Sequence, residues 1–262
     1  MLNTTIVFEK AQRKKAKARI AICAPAGGGK TYGALLLGAG LGGPIALIDT
    51  ENGSASLEAG KPNIPEFDIV TMHSPFDPEK YNAAIKAAEK AGYKVIIIDS
   101  LSHAWAGTGG LLEKKDALAD ANRGDSWNAW RKITPQHNKL VETMLQSECH
   151  IIATMRSKTD YAVEMVEGKT KIKKVGLAPV QREGMDYEFT IVFDVDQSSH
   201  VANASKDRTS LFDSRPSVLT IDTGKMLKEW LESGASEKAP AIQPQPQPVM
   251  AKRPEAHVRT SQ

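Results

Sequence analysis

The sequence predicts an α/β fold in which a mostly parallel, twisted sheet has helices on both faces and ends in antiparallel strands. Short apolar runs, typical of buried parallel strands, alternate with stretches that carry apolar residues at helical spacing. A glycine-rich turn joins the first of these strands to the first helix. From Glu188 to Val195 a strand pattern occurs without a long helical stretch behind it, which favours antiparallel strands at the end of the sheet.

The glycine-rich turn has the sequence of a P-loop. Residues 20–23 are an apolar strand, residues 32–37 begin a helix, and Lys30-Thr31 closes the turn between them. Glycines let successive backbone N–H groups point at a phosphate, and the helix adds the positive end of its dipole. We expect Lys30 to reach the β- and γ-phosphates, where it also serves catalysis, and Thr31 to ligate magnesium.

Ala24 stands where this pattern more often has glycine, at a position that requires a small side chain more than a positive φ. A chance match is the alternative, but strand, turn and helix come in the required order. The predicted nucleotide-binding residues are Ala24, Pro25, Ala26, Gly27, Gly28, Gly29, Lys30, Thr31 and Tyr32.

The later elements are predicted from apolar periodicity and from turn and capping residues. Proline is favoured in the first turn of a helix, so Thr134-Pro135 is expected to begin one. In chain order we expect a strand over 44–48, a turn at Asn52-Gly53, a strand over 67–72, a helix from Asp77-Pro78 to Gly92, a strand over 95–99, the helix from Thr134-Pro135, a strand over 151–154, a strand over 188–195 and a helix over 225–233.

A P-loop also requires a carboxylate for the metal, and Asp99 ends an apolar strand that we expect beside the P-loop strand. Ser100 follows it rather than a glutamate, so the base must lie elsewhere. Glu51 follows the second strand at the same sheet edge, where it would orient and deprotonate the attacking water. Thr154 ends the fifth strand there and would hydrogen-bond a γ-phosphate or that water. The alternatives are a turn-capping Asp99, a plain surface Glu51 and an ordinary strand-end Thr154.

Composition indicates one principal domain in a soluble, intracellular protein. The chain has 262 residues, of which 41% are hydrophobic. It contains no apolar run of about 18 residues and no secretory signal, so no membrane association is expected. We expect a basic N-terminal arm over 1–17, the main domain over 18–233, and a disordered tail over 234–262 that is rich in proline and glutamine.

Positive charge is concentrated in two segments, although the net charge is only +3. Residues 10–20 hold six bases and no acid, and residues 156–182 hold seven bases against three acids. The second segment would follow a phosphate backbone, or it forms the solvated face of a hairpin. Its candidate DNA-binding residues are Lys158, Lys169, Lys171, Lys173, Lys174 and Arg182.

These motifs together resemble the RecA-type recombinase core over roughly residues 18–200. The segments that carry the resemblance are 47–51, 68–75, 95–100 and 151–158. Within that group, the size of the chain, Trp127-Asn128 and the segment 206–208 look most like small phage AAA-type P-loop proteins described as RecA-core single-strand annealing ATPases. The resemblance implies an ATP- and magnesium-dependent protein that binds single-stranded DNA and promotes annealing in the cytoplasm of a bacterial host.

The resemblance also implies partners and surfaces. A ring or filament of the chain itself, and a single-strand binding protein, are the expected partners. Loops over 102–126 and 157–187 would face the DNA, while Lys206 and Arg208, or Lys171 and Lys173, would reach the ATP of a neighbouring subunit. Two other functions stay open: a nucleotide-binding assembly module with little turnover, and a small-molecule kinase, which the absence of an Arg-rich lid disfavours.

Overall fold

The computed structural model describes residue 8, residues 10–166 and residues 169–235, with the backbone alone for residues 159–177. The strands within these residues are β1 Arg19–Ala24, β2 Ile45–Asp49, β3 Asp68–Thr71, β4 Val95–Asp99, β5 His150–Val166, β6 Lys169–Pro179, β7 Ile191–Val195, β8 Val201–Asp207 and β9 Ser217–Val218. The α-helices are α1 Lys30–Leu41, α2 Pro78–Ala91, α3 Ser102–Ala106, α4 Leu111–Ala121, α5 Ser126–Leu145 and α6 Ile221–Glu232.

The sheet confirms the predicted fold class. Its strand order is β3-β2-β4-β5-β1-β7-β8-β9, and β6 pairs with β5 outside this path. The six strands from β3 to β7 run parallel. Strands β8 and β9 continue the sheet with antiparallel pairing, and β5 and β6 form an antiparallel hairpin.

The order of the strands corrects one expectation. Strand β5 lies between β1 and β4, so the strand that ends in Asp99 is not the neighbour of the P-loop strand. The reason is the apolar start of β5, where Ile151 and Ile152 are fully buried on opposite faces. A strand that is apolar on both faces is stabilised most in the centre of a sheet with helices on each side.

Two apolar layers cover the two faces of the sheet. On one face Ile20 and Ile22 of β1 pack in a cluster with α1 and α6. On the other face Ala21 and Cys23 pack in a cluster with α2, α3 and α5. This alternation follows from the two-residue period of a strand. Both layers keep the carboxyl ends of the parallel strands fixed relative to one another.

Helices α1 and α6 cross with their backbones in contact. A Cβ atom built on Gly40 would lie 2.6 Å from the Gly224 Cα atom, which is closer than atoms can approach. A Cβ atom built on Gly224 would in turn lie 2.9 Å from the Gly40 Cα atom. Only glycine at both positions permits this crossing, which fixes α6 against the helix that follows the P-loop.

Helix α5 begins earlier than predicted, and Pro135 lies inside it. The Asp125 carboxylate accepts a hydrogen bond from the Asn128 N–H group at 3.0 Å and so caps the first turn. Buried residues continue along one face from Ala129 to Met144 across the proline. The free energy gained by burial of this stripe outweighs the loss of the hydrogen bond that Pro135 removes. The prediction that Thr134-Pro135 begins a helix was therefore wrong.

The segment 102–126 also differs from expectation. It was predicted as a DNA-facing loop, but α3 and α4 occupy most of it. Leu111 and Ala119 of α4 are buried, which gives this short helix an apolar side. Helix α6 begins at Ile221, before the predicted Lys225, because Thr220 and Thr223 form a reciprocal cap at its start.

The start of the described chain is attached to α6. Lys14 and Ala235 form an isolated β-bridge, and the Arg13 guanidinium lies 4.6 Å from the centroid of the Trp230 ring. Residues 1–7 and 9 of the predicted arm, and residues 236–262 of the predicted tail, lie outside the described residues. Among the helices that are described, none is long and apolar enough to cross a membrane.

Candidate functional site

The P-loop joins β1 to α1 through glycines with specific conformations. Gly27 and Gly29 have φ angles of +77° and +78°, a region that side chains disfavour. Gly28 has another constraint, because a Cβ atom there would lie 2.6 Å from the Ala24 Cβ atom. The small side chain of Ala24 is therefore packed directly beneath the turn. The loop has the conformation and the space that close approach of a phosphate requires.

Lys30, the first residue of α1, folds back across the loop. Its Nζ atom donates hydrogen bonds to the carbonyl oxygens of Ala24, at 3.1 Å, and Pro25, at 2.9 Å. Burial lowers the pKa of Lys30, although the nearby carboxylates of Asp99 and Glu51 oppose this shift. Phosphate oxygens would be stronger, charged acceptors for this ammonium than the two carbonyls.

Asp99 is held between two threonine hydroxyls, one from the first turn of α1 and one from β5. Thr154 does not end its strand as predicted, because β5 continues to Val166 in the hairpin with β6. Thr31 Oγ1 donates to Asp99 Oδ2 at 2.6 Å, and Thr154 Oγ1 donates to Asp99 Oδ1. The two residues predicted to hold magnesium are thus in direct contact. Thr154 is fully buried and bonded to Asp99, which differs from its predicted contact with a γ-phosphate or water.

Burial raises the pKa of the Asp99 carboxyl above its usual value. The hydrogen bonds from Thr154 and Thr31 lower this pKa, but they do not cancel the effect of burial. The charge of Glu51 raises it further. A cation at this position would restore the ionised form.

The surroundings of Asp99 fit a magnesium ion. Asp49 pairs with Asp99 across β2 and β4, and its Oδ2 atom is buried without a hydrogen-bond partner. The other oxygen, Oδ1, accepts from the Glu51 N–H group at 2.6 Å. The described residues contain no cluster of three or more His, Cys, Asp or Glu side chains arranged for a metal. Magnesium commonly uses one or two carboxylates together with nucleotide phosphates, and Asp99 and Thr31 suit that mode.

Glu51 forms an ion pair with Arg156, which extends from β5. Arg156 Nε donates to Glu51 Oε1 at 2.9 Å, and the second guanidinium nitrogen contacts Oε2. Burial alone would raise the pKa of Glu51, but the hydrogen bonds and charge of Arg156 lower it below its usual value. Arg156 was absent from the predicted site residues. The pair joins positions 105 residues apart, and no local pattern indicates it.

A pocket of about 360 Å³ adjoins the P-loop. Tyr32, the last of the predicted nucleotide-binding residues, lines it together with His200 and Leu219. The turn after β7 closes over the loop, because Gln197 Nε2 donates to the Ala26 carbonyl oxygen at 2.7 Å. His200 and Gln197 were not predicted, since they approach Gly29 and Ala26 only through the fold. The full lining is Gly28, Gly29, Tyr32, Gly33, Glu58, Lys61, Val195, His200, Val218 and Leu219.

The predicted DNA-binding residues lie on or after the β5–β6 hairpin. Lys158 is exposed near the base of β5, and Arg182 follows β6 and is half-buried. The antiparallel pairing of β5 with β6 agrees with the alternative prediction of a hairpin for this segment. The side chains of Lys169, Lys171, Lys173 and Lys174 lie outside the description.

Lys206 and Arg208, predicted to reach a neighbouring subunit, contact their own chain. Lys206 Nζ donates to the carbonyl oxygens of Asp186, at 2.8 Å, and Tyr187, at 2.6 Å. Arg208 donates to the same Tyr187 carbonyl at 3.0 Å. Lys206 lies near the end of β8, and Arg208 directly follows that strand. Both are therefore beside the amino end of β7, at the sheet edge opposite the P-loop.

One comparison with known proteins identifies a family. A family model described as an AAA domain matches residues 16–224, which include every site residue described above. A search of curated proteins finds no match to this chain.

Proposed function

We propose that this chain, which belongs to the AAA domain family of P-loop ATPases, hydrolyses ATP in order to bind single-stranded DNA and promote strand annealing. The observation that carries the ATPase part is the convergence of Lys30, Thr31 and Asp99, with Glu51, at the carboxyl ends of the parallel strands. Open α/β sheets bind ligands at this edge.

Each of these side chains has a role that its position supports. Lys30 would exchange its two carbonyl acceptors for phosphate oxygens. Thr31 and Asp99 would hold magnesium, which neutralises phosphate charge when it is bound. Thr154 is a positioning residue, because its hydroxyl fixes the direction of the Asp99 carboxylate. Glu51 would orient water and accept its proton.

The Glu51–Arg156 pair supports a resting state for the ATP-free site. A carboxylate paired with a guanidinium accepts a proton poorly, since its pKa is lowered. The phosphates of ATP would compete with Glu51 for Arg156, and Glu51 would then be free to act on water. Binding of ATP would in this way assemble the base that hydrolyses it.

The pocket beside the P-loop is suited to the nucleobase of ATP. Its apolar lining includes Val195 and Leu219, and Tyr32 and His200 offer flat rings against which a base stacks. The pocket adjoins Gly28 and Gly29, so a nucleotide with its phosphates on the loop would reach it. Tyr32 is therefore proposed to bind the base rather than a phosphate.

The DNA part of the proposal depends on the resemblance to the RecA-type core. It is supported by the parallel sheet, by Asp99-Ser100 at the end of β4 and by the basic sequence of the β5–β6 hairpin. The proposal includes a phage annealing ATPase that acts as a ring or filament, beside a single-strand binding protein, in a bacterial host.

A nucleotide-binding assembly module with little turnover is the second candidate. The observation in its favour is the engagement of Lys30 and Glu51 by other groups of their own chain. A small-molecule kinase has less support, because a kinase must exclude the water that Glu51 is proposed to activate.

Annealing of two complementary fluorescent oligonucleotides, with ATP and magnesium, tests the proposed function. The wild-type protein should accelerate annealing, and Lys30→Ala should lose the ATP-dependent part, because the phosphates lose a cation. Lys225→Ala, which removes an exposed lysine of α6, is the matched control and should behave as wild type. Absence of single-strand binding and of annealing in the wild type would reject the DNA function and leave the assembly module.

A further inference from the structure

A groove of about 890 Å³ lies outside the ATP site, between α5 and the segment 182–187. We propose that this groove, called here the tryptophan groove, binds unpaired bases of single-stranded nucleic acid; the inference rests on the proposed function and locates its DNA contact. The groove is lined by Trp105, Trp127, Trp130, Arg131, Thr134, Pro135, Arg182, Glu183, Gly184 and Tyr187.

Four aromatic side chains line the tryptophan groove, and two of them face water. Trp127 and Tyr187 are 77% and 70% exposed, whereas Trp105 and Trp130 stack with their ring centroids 5.8 Å apart. Single exposed apolar residues are common, but two large rings at one groove indicate a binding surface. Bases of any sequence stack on such rings, because every base has a π-face.

The charge of the groove favours an anion. Arg131 and Arg182 line it, against one acid, Glu183. Two lysines approach the rings from outside: Lys115 Nζ lies 5.8 Å from the Trp130 centroid, and Lys206 Nζ lies 5.7 Å from the Tyr187 centroid. Guanidinium groups beside aromatic platforms provide phosphate contacts next to base contacts.

Lys206 and Arg208 acquire a new role in this arrangement. Both donate to the carbonyl oxygen of Tyr187, so they fix the backbone from which this ring extends. They are positioning residues for the tryptophan groove. This explains their location without a contact to a neighbouring subunit.

The proline- and glutamine-rich segment of the same chain is a less suitable occupant. Aromatic grooves do bind proline-rich peptides. The run Pro244 to Pro248, however, is followed by Lys252, Arg253 and Arg259 against one acid, Glu255. These bases would meet Arg131 and Arg182, so repulsion opposes this occupant. A polyanion has the complementary charge.

Two short connections lead from the tryptophan groove to the ATP site. Trp105 belongs to α3, which follows the strand that ends in Asp99. Beside Arg182, Gln181 Nε2 donates to the Leu101 carbonyl oxygen at 3.2 Å, and Ser102 Oγ accepts from the Arg156 N–H group at 2.9 Å. Bases in the groove would therefore contact α3, which follows the Asp99 strand and is hydrogen-bonded to the backbone of Arg156.

Fluorescence anisotropy of a labelled oligo-dT tests the inference on the full-length protein with ATP and magnesium. Trp127→Ala and Tyr187→Ala should each weaken binding on the order of 5- to 150-fold, since each removes a stacking surface. Trp127→Phe should retain most of the affinity because it keeps a ring. Met226→Ala, at an exposed apolar residue of α6, should bind as wild type. Arg131→Gln should reduce the slope of log affinity against log salt by about one.

The outcomes separate the groove from the proposed function. ATPase activity without DNA should be the same in wild type and Trp127→Ala, which also verifies that the variant is folded. If wild type does not bind oligo-dT, the proposed function fails and the groove inference fails with it. If wild type binds and both alanine variants bind equally well, only the groove inference is overturned. A peptide of residues 240–250 that binds wild type but not Trp127→Ala, while both proteins bind DNA equally, would also overturn it.

Discussion

At the scale of single residues, the ATP site keeps charged groups in unfavourable surroundings. Asp99 is buried, and the pKa of its carboxyl is raised despite the hydroxyl donors of Thr31 and Thr154. The pKa of Lys30 is lowered by burial. Such shifts are typical of groups that await a ligand of opposite charge. The site is therefore expected to gain stability when nucleotide and magnesium bind.

Replacement of Asp99 by asparagine should raise the thermal stability of the ligand-free protein and abolish ATP hydrolysis. A raised folded-state pKa means that ionised Asp99 costs stability, and this cost appears as pH rises from the usual Asp range through the raised pKa. Asp99→Asn should increase the Tm of the ligand-free protein at pH 7 by about 2–4 °C, which corresponds to about 1 kcal/mol for a chain of this size. Magnesium-dependent ATP hydrolysis should be lost.

Thermal unfolding measured over a series of pH values checks this expectation. The difference in Tm should shrink as pH falls through the raised pKa of Asp99, and it should vanish in the usual Asp range, where the residue is neutral in both the folded and the unfolded protein. Asp213→Asn, at an exposed acid outside the site, should leave Tm unchanged. A lower Tm for Asp99→Asn at pH 7 would show that the carboxylate stabilises the ligand-free fold.

Replacement of Arg156 should change the pH dependence of hydrolysis. Arg156 lowers the pKa of Glu51, whereas burial raises it. In Arg156→Gln burial should dominate, so Glu51 would become protonated at higher pH. The acid limb of the profile of kcat/KM against pH should then move to higher pH, because Glu51 acts in its ionised form. Arg131→Gln is the control with a guanidinium outside the ATP site, and an unmoved limb in Arg156→Gln would exclude Glu51 as the titrating base.

At the scale of elements, local patterns predicted what local contacts determine. The P-loop and the helix from Pro78 to Ala91, with Asp77 as its cap and Gly92 at its end, depend on neighbours in sequence. Their residues were predicted for that reason. The start of α5 was missed because the proline signal at Pro135 conflicts with an apolar stripe that only tertiary packing reveals.

Contacts between distant segments account for the rest of the site. Glu51 meets Arg156, and His200 approaches Gly29, only after β2, β5 and β7 have taken their places in the sheet. The position of β5 between β1 and β4 decides these contacts, and the sequence of each strand alone does not specify its neighbours. Asp99 was predicted as a metal ligand from its strand end, but its hydrogen bond from Thr154 depends on the pairing of β4 with β5.

The crossing of α1 and α6 provides a test at this scale. Gly224→Ala should lower the free energy of unfolding by about 2–3 kcal/mol, because the new methyl group would overlap backbone atoms of α1. Urea unfolding followed by circular dichroism measures the change. Lys225→Ala, at the next residue and exposed, should have little effect. Equal stability of Gly224→Ala and wild type would mean that the helices can separate without cost.

At the scale of the whole molecule, one sheet connects two surfaces. The carboxyl ends of its strands carry the ATP site, and the tryptophan groove lies beside α5 on one face. The β5–β6 hairpin extends from the same strand that supplies Thr154 and Arg156. We propose that residues 18–233 form the ATPase domain, with the bridge between Lys14 and Ala235 where the arm and the tail begin.

The most direct test is the rate of ATP hydrolysis with and without single-stranded DNA. Phosphate release should require magnesium, and excess oligo-dT should increase the wild-type rate. Glu51→Gln should bind a fluorescent ATP analogue normally but hydrolyse ATP at least about 100-fold more slowly, because it lacks a base. Glu66→Gln, at an exposed acid outside the site, should match wild type. A wild-type rate that does not respond to oligo-dT, or a Glu51→Gln variant as active as wild type, would contradict a DNA-coupled ATPase with Glu51 as its base.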